Sequence, residues 1–499
     1  MKIIFPDKKI EQTASSGDTL LDVIRAAGMS IEALCDGRGT CGKCRVRANG
    51  LEKLACRTPA EDGMTVEILS NSEGQEILTD SRMNHLAGKQ TGTGNSAIAI
   101  DIGTTTVVLK AVDTGSGEEL SVRAFTNPQR VYGADVLSRI NESMDDASLL
   151  SGLIREALDD AISDIANDCF IEAKGGSPRN GIEKIVIAGN TTMMYLLLGL
   201  RCRSIGLAPF TPEFELKPVY TYSEVFGSET LSCPVLIYPY ISAYVGGDIV
   251  SGLVNIERHI ETGASPSYIL VDMGTNGEIA YRNGDRLITT STAAGPALEG
   301  GNISCGMSGL PGAIFDAVCD AEGNFSYQTI GGRPPLGICG SGVISLMAAL
   351  LDAGLVSETG AFSEAGDKLA LEKCLVIAEG GGGAARVIFT QKDVREFQLA
   401  KGAIRAGIDI LISEMGEPPA ALYLAGGFGI NINLEAAFRV GLIPRELFGR
   451  VFFAGNTSLG GCIDACVSGG FGTVLSAQEI NLGSHKDFNN KFMETMLFE

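Results

Sequence analysis

Two stretches of this chain are built to one plan. AIAIDIGTTTVVLKAVD (97–113) and YILVDMGTNGEIAYRNG (268–284) each run an apolar strand into Asp-x-Gly-Thr, a polar turn and a second strand. A pair of such units about 170 residues apart suggests a duplicated α/β core with a cleft between its halves. The motif suits nucleotide chemistry. Its strand delivers a carboxylate, Asp101 or Asp272, that can hold Mg2+ directly or through water. Gly103 and Gly274 permit a tight hairpin whose backbone N–H groups face phosphate, together with Thr104, Thr105, Thr106, Thr275 and Asn276. A third element, ALYLAGGFGIN (421–431), is an apolar strand entering Gly426, Gly427 and Gly429, where backbone can approach an adenosine closely. One Asp-x-Gly-Thr would say little; two in order, then strand-GGFG, point to ATP. A Walker A lysine loop is not found.

A different chemistry occupies the N-terminus. Cys35, Cys41, Cys44 and Cys56 fall in LCDGRGTCGKCRVRANGLEKLACRTP with spacing C-x5-C-x2-C-x11-C. A zinc ribbon draws its ligands from two close cysteine pairs, and only one pair exists here. The loop DGRGTCG lets backbone N–H groups approach bridging sulfides through Gly37, Gly39 and Gly42, and it is one residue longer than the plant-type opening. The spacing therefore favours a 2Fe-2S cluster over structural zinc or disulfides. MKIIFPDKKIEQTAS reads as a hairpin, GDTLLDVIRAAGM as a capped amphipathic helix and CRVRANGLEKLAC as a second hairpin. This order resembles the β-grasp 2Fe-2S ferredoxin fold, and the short last gap resembles ferredoxin domains built into larger redox enzymes such as the molybdenum hydroxylases.

Composition narrows the function classes. A net charge of −21 argues against a nucleic-acid partner. MMYLLLGL, the most apolar run, is too short to span a bilayer, and the N-terminus lacks a signal-peptide pattern. Nine scattered cysteines outside the cluster motif among the 13 in the chain fit buried thiols in a reducing cytoplasm. Histidine occurs only at 85, 259 and 485, which disfavours histidine-based metal or nucleophilic chemistry. Residues 72–96 lose apolar periodicity and read as a flexible linker or, equally, a strap lying against the next domain.

The order of the two Asp-x-Gly-Thr loops and GGFG resembles the actin, sugar-kinase and heat-shock-chaperone (ASKHA) superfamily of ATPases. The segments NPQRVYGADVLSRI (127–140), VIAGNTTMMYLLLG (186–199), YVGGDIVSG (244–252), STAAGPALEGGNISCGM (291–307), ICGSGVISL (338–346) and DVREFQLAKGAIRAGI (393–408) extend the likeness. With the cysteine domain, the chain from Cys35 to about Gly470 resembles the reductive activators of corrinoid proteins, which return Co(II) to Co(I) at the expense of ATP. The resemblance implies a multidomain α/β architecture: a 2Fe-2S ferredoxin-like domain at 1–71, a linker at 72–96, ASKHA subdomains at 97–266 and 267–482, and a tail at 483–499. Better-known members carry an extra middle domain, whereas here the linker runs straight into Asp101. A homodimer is retained as one reading of the oligomeric state.

What the resemblance implies chemically is specific. Cys35, Cys41, Cys44 and Cys56 would bind the cluster, Asp101 and Asp272 would hold Mg2+ and position water, and the threonines, Asn276 and the GGFG glycines would contact ATP. The partners would be a corrinoid protein of a methyltransferase system and an upstream low-potential electron donor. Plant-type clusters lie near about −400 mV and the Co(II)/Co(I) couple is expected lower, so electron transfer needs ATP as a second source of free energy. The alternative is a redox-gated small-molecule kinase of the same superfamily. Ser291 is read as a helix N-cap or a cobalt-side hydroxyl, Cys305 and Cys339 as packing groups, and Lys401 as solvated or structural rather than a phosphate contact, with Leu399, Ile404 and Ile408 on the apolar side of its helix.

Overall fold

In the computed structural model the described residues are 1–6, 10–15, 17–27, 29, 31, 44–68, 81–82, 95–133, 135–172, 181–260, 266–274, 276–320, 322–369, 374–379, 386–426, 432–471 and 476–498. Strand alternation buries Ile3 and Phe5 of β1 (Lys2–Phe5), which pairs antiparallel with β2 (Ile10–Thr13). α1 (Leu20–Ala26) begins with a reciprocal capping box: the Thr19 hydroxyl accepts from the Asp22 N–H at 3.3 Å and the Asp22 carboxylate from the Thr19 N–H at 2.9 Å. Leu20, Leu21, Val23 and Ile24 form its buried face. β3 (Arg45–Ala48) and β4 (Leu51–Leu54) form the second hairpin, turned by Asn49 and Gly50, both at positive φ. β5 (Val66–Ile68) pairs with β3 on its other side.

The duplication read from the two Asp-x-Gly-Thr stretches appears as two six-stranded sheets of matching design. In the first, β6 (Ser96–Ile102), β7 (Thr106–Asp113) and β8 (Glu119–Thr126) form an antiparallel meander. α2 (Val136–Glu142) and the long α3 (Ser148–Glu172) follow. β9 (Ile182–Gly189) then runs parallel to β6 and leads into α4 (Thr191–Leu198). After the short α5 (Arg203–Gly206), β10 (Val219–Thr221) and α6 (Tyr222–Phe226), β11 (Pro234–Ile237) pairs parallel with β9. The strand order is β10-β11-β9-β6-β7-β8. α7 (Gly247–His259) ends this half.

The second half repeats the plan. β12 (Ser267–Met273), β13 (Gly277–Asn283) and β14 (Arg286–Thr292) form the meander. An insertion follows, with β15 (Ala313–Cys319), β16 (Phe325–Thr329) and β17 (Gly337–Ile338) in one small sheet. α8 (Gly340–Asp352), α9 (Glu364–Leu369) and the hairpin of β18 (Cys374–Ala378) and β19 (Val387–Thr390) complete it. α10 (Gln391–Met415) then crosses the sheet. β20 (Ala421–Ala425), α11 (Leu434–Arg439), β21 (Val451–Gly455), α12 (Thr457–Ser468) and β22 (Gln478–Glu479) finish the order β21-β20-β12-β13-β14-β22. Among the described residues no helix is long and apolar enough to cross a membrane.

The halves are joined by exchanging helices. α7, which ends the first half, packs Ile249, Leu253 and Ile256, with Val245 just before it, against Tyr268, Leu270 and Ala280 of the second sheet. α12, from the second half, packs Leu459, Cys462 and Ala465 against Ala97, Ala99 and Val186 of the first. The two helices cross where Gly461 lies on Ser251: a Cβ on Gly461 would fall 2.0 Å from the Ser251 carbonyl.

Ser81 and Arg82 are seated on this junction. Ser81 is buried and bridges antiparallel to Gly455 at the end of β21, while the Arg82 N–H donates to the Ala454 carbonyl at 3.0 Å. The Ser81 hydroxyl donates to Asn255 Oδ1 of α7 at 2.6 Å, and Asn255 Nδ2 donates to Asp464 of α12 at 2.7 Å. The seat divides the tether. From Ile68 to Ser81 the chain can span at most about 45 Å, against about 95 Å if it were free as far as Asn95. Ser81→Leu, too large for the gap beside Gly460 and Asn255, is expected to speed trypsin cleavage after Arg82 on the order of tenfold. Peptide quantification by mass spectrometry measures this, and an unchanged rate would show that the seat does not protect the segment.

The end of the chain packs on α10 through α13 (Phe488–Met496). Lys401 is buried, donates to the Leu497 carbonyl and lies 4.8 Å from the Phe498 ring centre, which makes it structural. Ile404 and Ile408 are buried as the periodicity predicts, but Leu399 is 47% exposed. At about 100° per residue it lies on the side of the helix opposite Ile408 and the face that meets β13 and β14.

Candidate functional site

The two Asp-x-Gly-Thr loops occupy equivalent places. Asp101 is in register with Ala188 of β9, and Asp272 with Ala425 of β20. Gly189 in the first half thus stands where Gly426 stands in the second. Sequence reasoning assigned no role to Asn190, which follows Gly189 and caps the start of α4.

The first Asp-x-Gly-Thr hairpin, Gly103–Thr106, which the expected nucleotide site would use as its phosphate-1 hairpin, is held from behind by its carbonyls. Asn127 Nδ2 donates to the Gly103 carbonyl at 2.9 Å, the Arg139 guanidinium to the Thr104 carbonyl, and the Asn127 N–H to the Thr105 carbonyl at 2.9 Å. In a planar trans peptide the N–H opposes the C=O. The N–H groups of Thr104, Thr105 and Thr106 are therefore turned away from these donors, in the sense an anion nest needs. Asn190 Nδ2 donates to the Thr104 hydroxyl at 3.0 Å. The Gly103 N–H closes the turn on the Thr106 carbonyl at 2.9 Å.

Asp101 is gripped across the junction by the second half. Its carboxylate accepts from Asn456 Nδ2 at 2.9 Å and from the Ser458 hydroxyl at 2.8 Å, both at the start of α12. Around it gather carboxylates whose proximity is visible in their acidities. Burial raises the pKa of Asp101 despite these two donors. Asp272 is pushed up to about 7 by burial, then by repulsion from Asp101 and Glu299. Asp248, in the first turn of α7, is pushed up to about 7 by burial and by repulsion from Asp272 and Asp101. Glu278, directly opposite Asp272 in the β12–β13 ladder, is raised well above the carboxylate range by burial and by Asp248 and Asp272. A divalent cation would relieve this repulsion, but among the described residues no three of these acids stand close enough together to form a ligand set by themselves.

Gly426 has φ +90 and lies against Asp272: a Cβ there would fall 2.8 Å from Asp272 Oδ1. Gly274 donates to the Asn276 carbonyl at 2.9 Å and lies near Glu299. Thr275, Gly427 and Gly429 lie outside the described residues. Ser291 is in strand β14, opposite Glu278, so the helix N-cap reading is corrected. The short helical turn that follows, Pro296–Glu299, is preceded by Gly295, because Ala294 and Gly295 are needed to leave the strand. Asp248, Glu299, Asn456 and Ser458 escaped sequence reasoning. Asp248 lies in the noted segment YVGGDIVSG, yet nothing local tells a helix-start aspartate from a cleft carboxylate.

In the N-terminal domain the structure brings Cys44 and Cys56 together. Both are buried, and the Cys56 N–H points to Cys44 Sγ at 3.5 Å. Ligand sulfurs of iron-sulfur clusters commonly accept backbone N–H groups, so these two residues fit an iron-sulfur site. Cys35 and Cys41 lie outside the described residues. Cys339 is buried and its thiol contacts the Ile314 carbonyl at 3.3 Å, while Cys305 Sγ accepts from the Ile388 N–H at 3.3 Å. Both act as packing groups.

An iron-sulfur module joined to a duplicated ASKHA-type core defines the class. Family profiles match along the chain: the 2Fe-2S iron-sulfur cluster binding domain over residues 4–61, the RACo middle region over 96–261 and the C-terminal ASKHA domain of RACo over 267–499. The chain belongs to the family of reductive activators of corrinoid proteins. It is 29% identical to the corrinoid activation enzyme RamQ of Eubacterium limosum, with 89% of each chain covered. It is also 29% identical to a [Co(II) methylated amine-specific corrinoid protein] reductase of Methanosarcina barkeri, covering 72% of this chain and 68% of the relative. A solved reductive activator for corrinoid, iron-sulfur protein superposes with a TM-score of 0.68 at 26% identity, covering 100% of this chain and 98% of that one. The expectation that a middle domain is missing is overturned. The middle-region profile falls on residues 96–261, the stretch read as the first half of the duplicated core, so no separate insertion is needed to supply it.

Proposed function

We propose that this protein uses ATP to drive the one-electron reduction of a corrinoid protein from inactive Co(II) to Co(I). The observation that carries the reading is the convergence of both Asp-x-Gly loops on one cleft, with Asp101 of the first half held by Asn456 and Ser458 of the second. A ligand that bridges the loops would change how the two halves sit, because the contact that joins them is part of the site.

Asp101 and Asp272 would hold Mg2+, and the turned N–H groups at Thr104–Thr106 with Gly274, Thr275 and Asn276 would bind phosphate. Gly426, Gly427 and Gly429 would lie along the nucleotide, and Ser291 would face the same cleft from β14. Asp248, in the first turn of α7 and close enough to Asp272 and Asp101 to feel their charge, is suited to take a proton from attacking water at its carboxylate. Cys35, Cys41, Cys44 and Cys56 would hold the 2Fe-2S cluster, which when bound supplies a low-potential one-electron donor. Its own reductant would be an upstream low-potential carrier. The reduction is uphill, and a ligand shifts an equilibrium only through differential affinity. Nucleotide-dependent binding that favours one cobalt state over the other therefore supplies the coupling. The chemistry fits a cytoplasmic protein, acting as a monomer or a homodimer.

The test is the visible spectrum of a candidate corrinoid protein mixed with this protein, a chemical reductant and Mg-ATP. A Co(I) band that requires all the components is the expected result. ATP turnover indifferent to corrinoid, with no Co(I) band from any encoded partner, would replace this reading with the redox-gated kinase.

A further inference from the structure

Arg139 belongs to NPQRVYGADVLSRI, and its side chain plays no part in the site as described beyond one hydrogen bond. It lies on α2 and is 0% exposed. Its Nε donates to the Gly133 carbonyl at 2.9 Å, its Nη1 contacts Gln129 Oε1 at 3.5 Å and Met193 Sδ at 3.3 Å, and its Nη2 donates to the Thr104 carbonyl. Among the described residues it forms no ion pair. The charges that act on it are Arg130, which opposes its own, and Asp135. The Asp135 carboxylate is already engaged at 2.7 Å with the Ser138 N–H as the cap of α2. Burial pushes the Arg139 pKa down to about 9, which still leaves it charged at neutral pH.

A lone buried cation is an expensive way to fill space. Removing an ion from water costs several kcal/mol, which neutral carbonyl and amide dipoles only partly offset. The surroundings are nevertheless shaped for this side chain. Gly133 has to be glycine, since a Cβ would fall 2.7 Å from Ser138 Cβ and 3.1 Å from Arg139 Cγ. That close passage sets the Gly133 carbonyl on Nε. The fork then reaches Thr104, the middle residue of the phosphate-1 turn.

We propose that Arg139 is a positioning residue whose missing counter-charge is the phosphate of the bound nucleotide, felt across the Thr104–Thr105 peptide. This rests on the nucleotide reading above. The guanidinium does not touch the ligand. It pulls on the Thr104 carbonyl, polarises the peptide so that the opposing Thr105 N–H becomes a stronger donor, and places a fixed positive charge behind the turn. The charge is under-compensated in the ligand-free protein and paired when phosphate binds.

The test uses the full-length, cluster-loaded protein and titrates Mg-ATP and AMP into wild type, Arg139→Met and Arg139→Lys, alongside ligand-free melting temperatures. Arg139→Met should melt at or above the wild-type temperature, yet bind Mg-ATP on the order of tenfold or more weakly. AMP binding should change less than twofold, and Arg139→Lys should recover most of the Mg-ATP affinity. A purely structural arginine would instead lower the ligand-free melting temperature and weaken both nucleotides alike, which would overturn the proposal. So would Arg139→Lys being as weak as Arg139→Met, and this comparison holds even where the methionine variant folds poorly. Wild-type protein that binds no Mg-ATP would remove the nucleotide reading itself, a result distinct from any difference among the variants.

Discussion

Asp272→Asn is expected to lower ATP turnover on the order of 10³-fold while raising the melting temperature of the ligand-free protein at pH 7.5. The two effects have opposite signs because one carboxylate serves both. In the site, Asp272 faces Asp101, Glu299, Asp248 and Glu278, and a cation held there needs its charge. Without a cation that charge is only repelled, and an asparagine of the same shape relieves the repulsion. Asp101→Asn should lose turnover similarly but gain less stability, because its carboxylate accepts two hydrogen bonds from α12 that an amide can only partly replace. Steady-state phosphate release and a thermal melt on one preparation check both halves. Unimpaired turnover in Asp272→Asn would remove this residue from the site, and a lower ligand-free melting temperature would show that the carboxylate is structural.

The ligand-free protein should also lose stability as pH rises from about 4 to 7. Asp248 and Asp272 are each pushed up to about 7 in the folded chain, against about 3.9 for an unfolded aspartate. Between those values the folded chain holds protons that the unfolded chain has released. Stability is therefore greatest below the unfolded value, falls as pH climbs, and levels off above 7. The expected fall in melting temperature between pH 5 and 7.5 is on the order of 5 °C beyond that of an Asp248→Asn/Asp272→Asn double variant. The double variant is the necessary control, since a net charge of −21 gives the whole molecule its own pH dependence. Added Mg2+ should recover more at pH 7.5 than at pH 5, where protons compete for the same oxygens. Melting curves with equal slopes in wild type and double variant would sink this account.

Much of the architecture could be read from single segments. The strand-Asp-x-Gly-Thr units announced the duplication because each combines a buried strand with a glycine turn, and both signals are local. The two N-terminal hairpins and the Thr19 capping box were legible for the same reason. Lys401 shows where local reading weakens. Helical spacing placed Ile404 and Ile408 inward, but Leu399 went to solvent because the face that α10 presents is chosen by β13, β14 and α13. Ser291 misled in another way: small residues suit a helix start and a strand edge alike, and pairing with Glu278 decided between them. The middle region was declared absent because the sequence offered no boundary, when the profile match places it within the continuous core.

From the sequence alone, then, come the chemistry-bearing groups whose requirements are local: four cysteines spaced for a cluster, two aspartates at strand ends, and glycines where the backbone must turn sharply. Tertiary structure alone brought Asn456 and Ser458 onto Asp101, seated Ser81 beside Asn255, set Asn190 on the Thr104 hydroxyl, and put Arg139 under the phosphate-1 turn. It also set the acidities, because desolvation and repulsion depend on distances that exist only after the two halves close and exchange α7 and α12. A turn is dictated by its own residues, whereas an electrostatic site is dictated by what folding brings next to it.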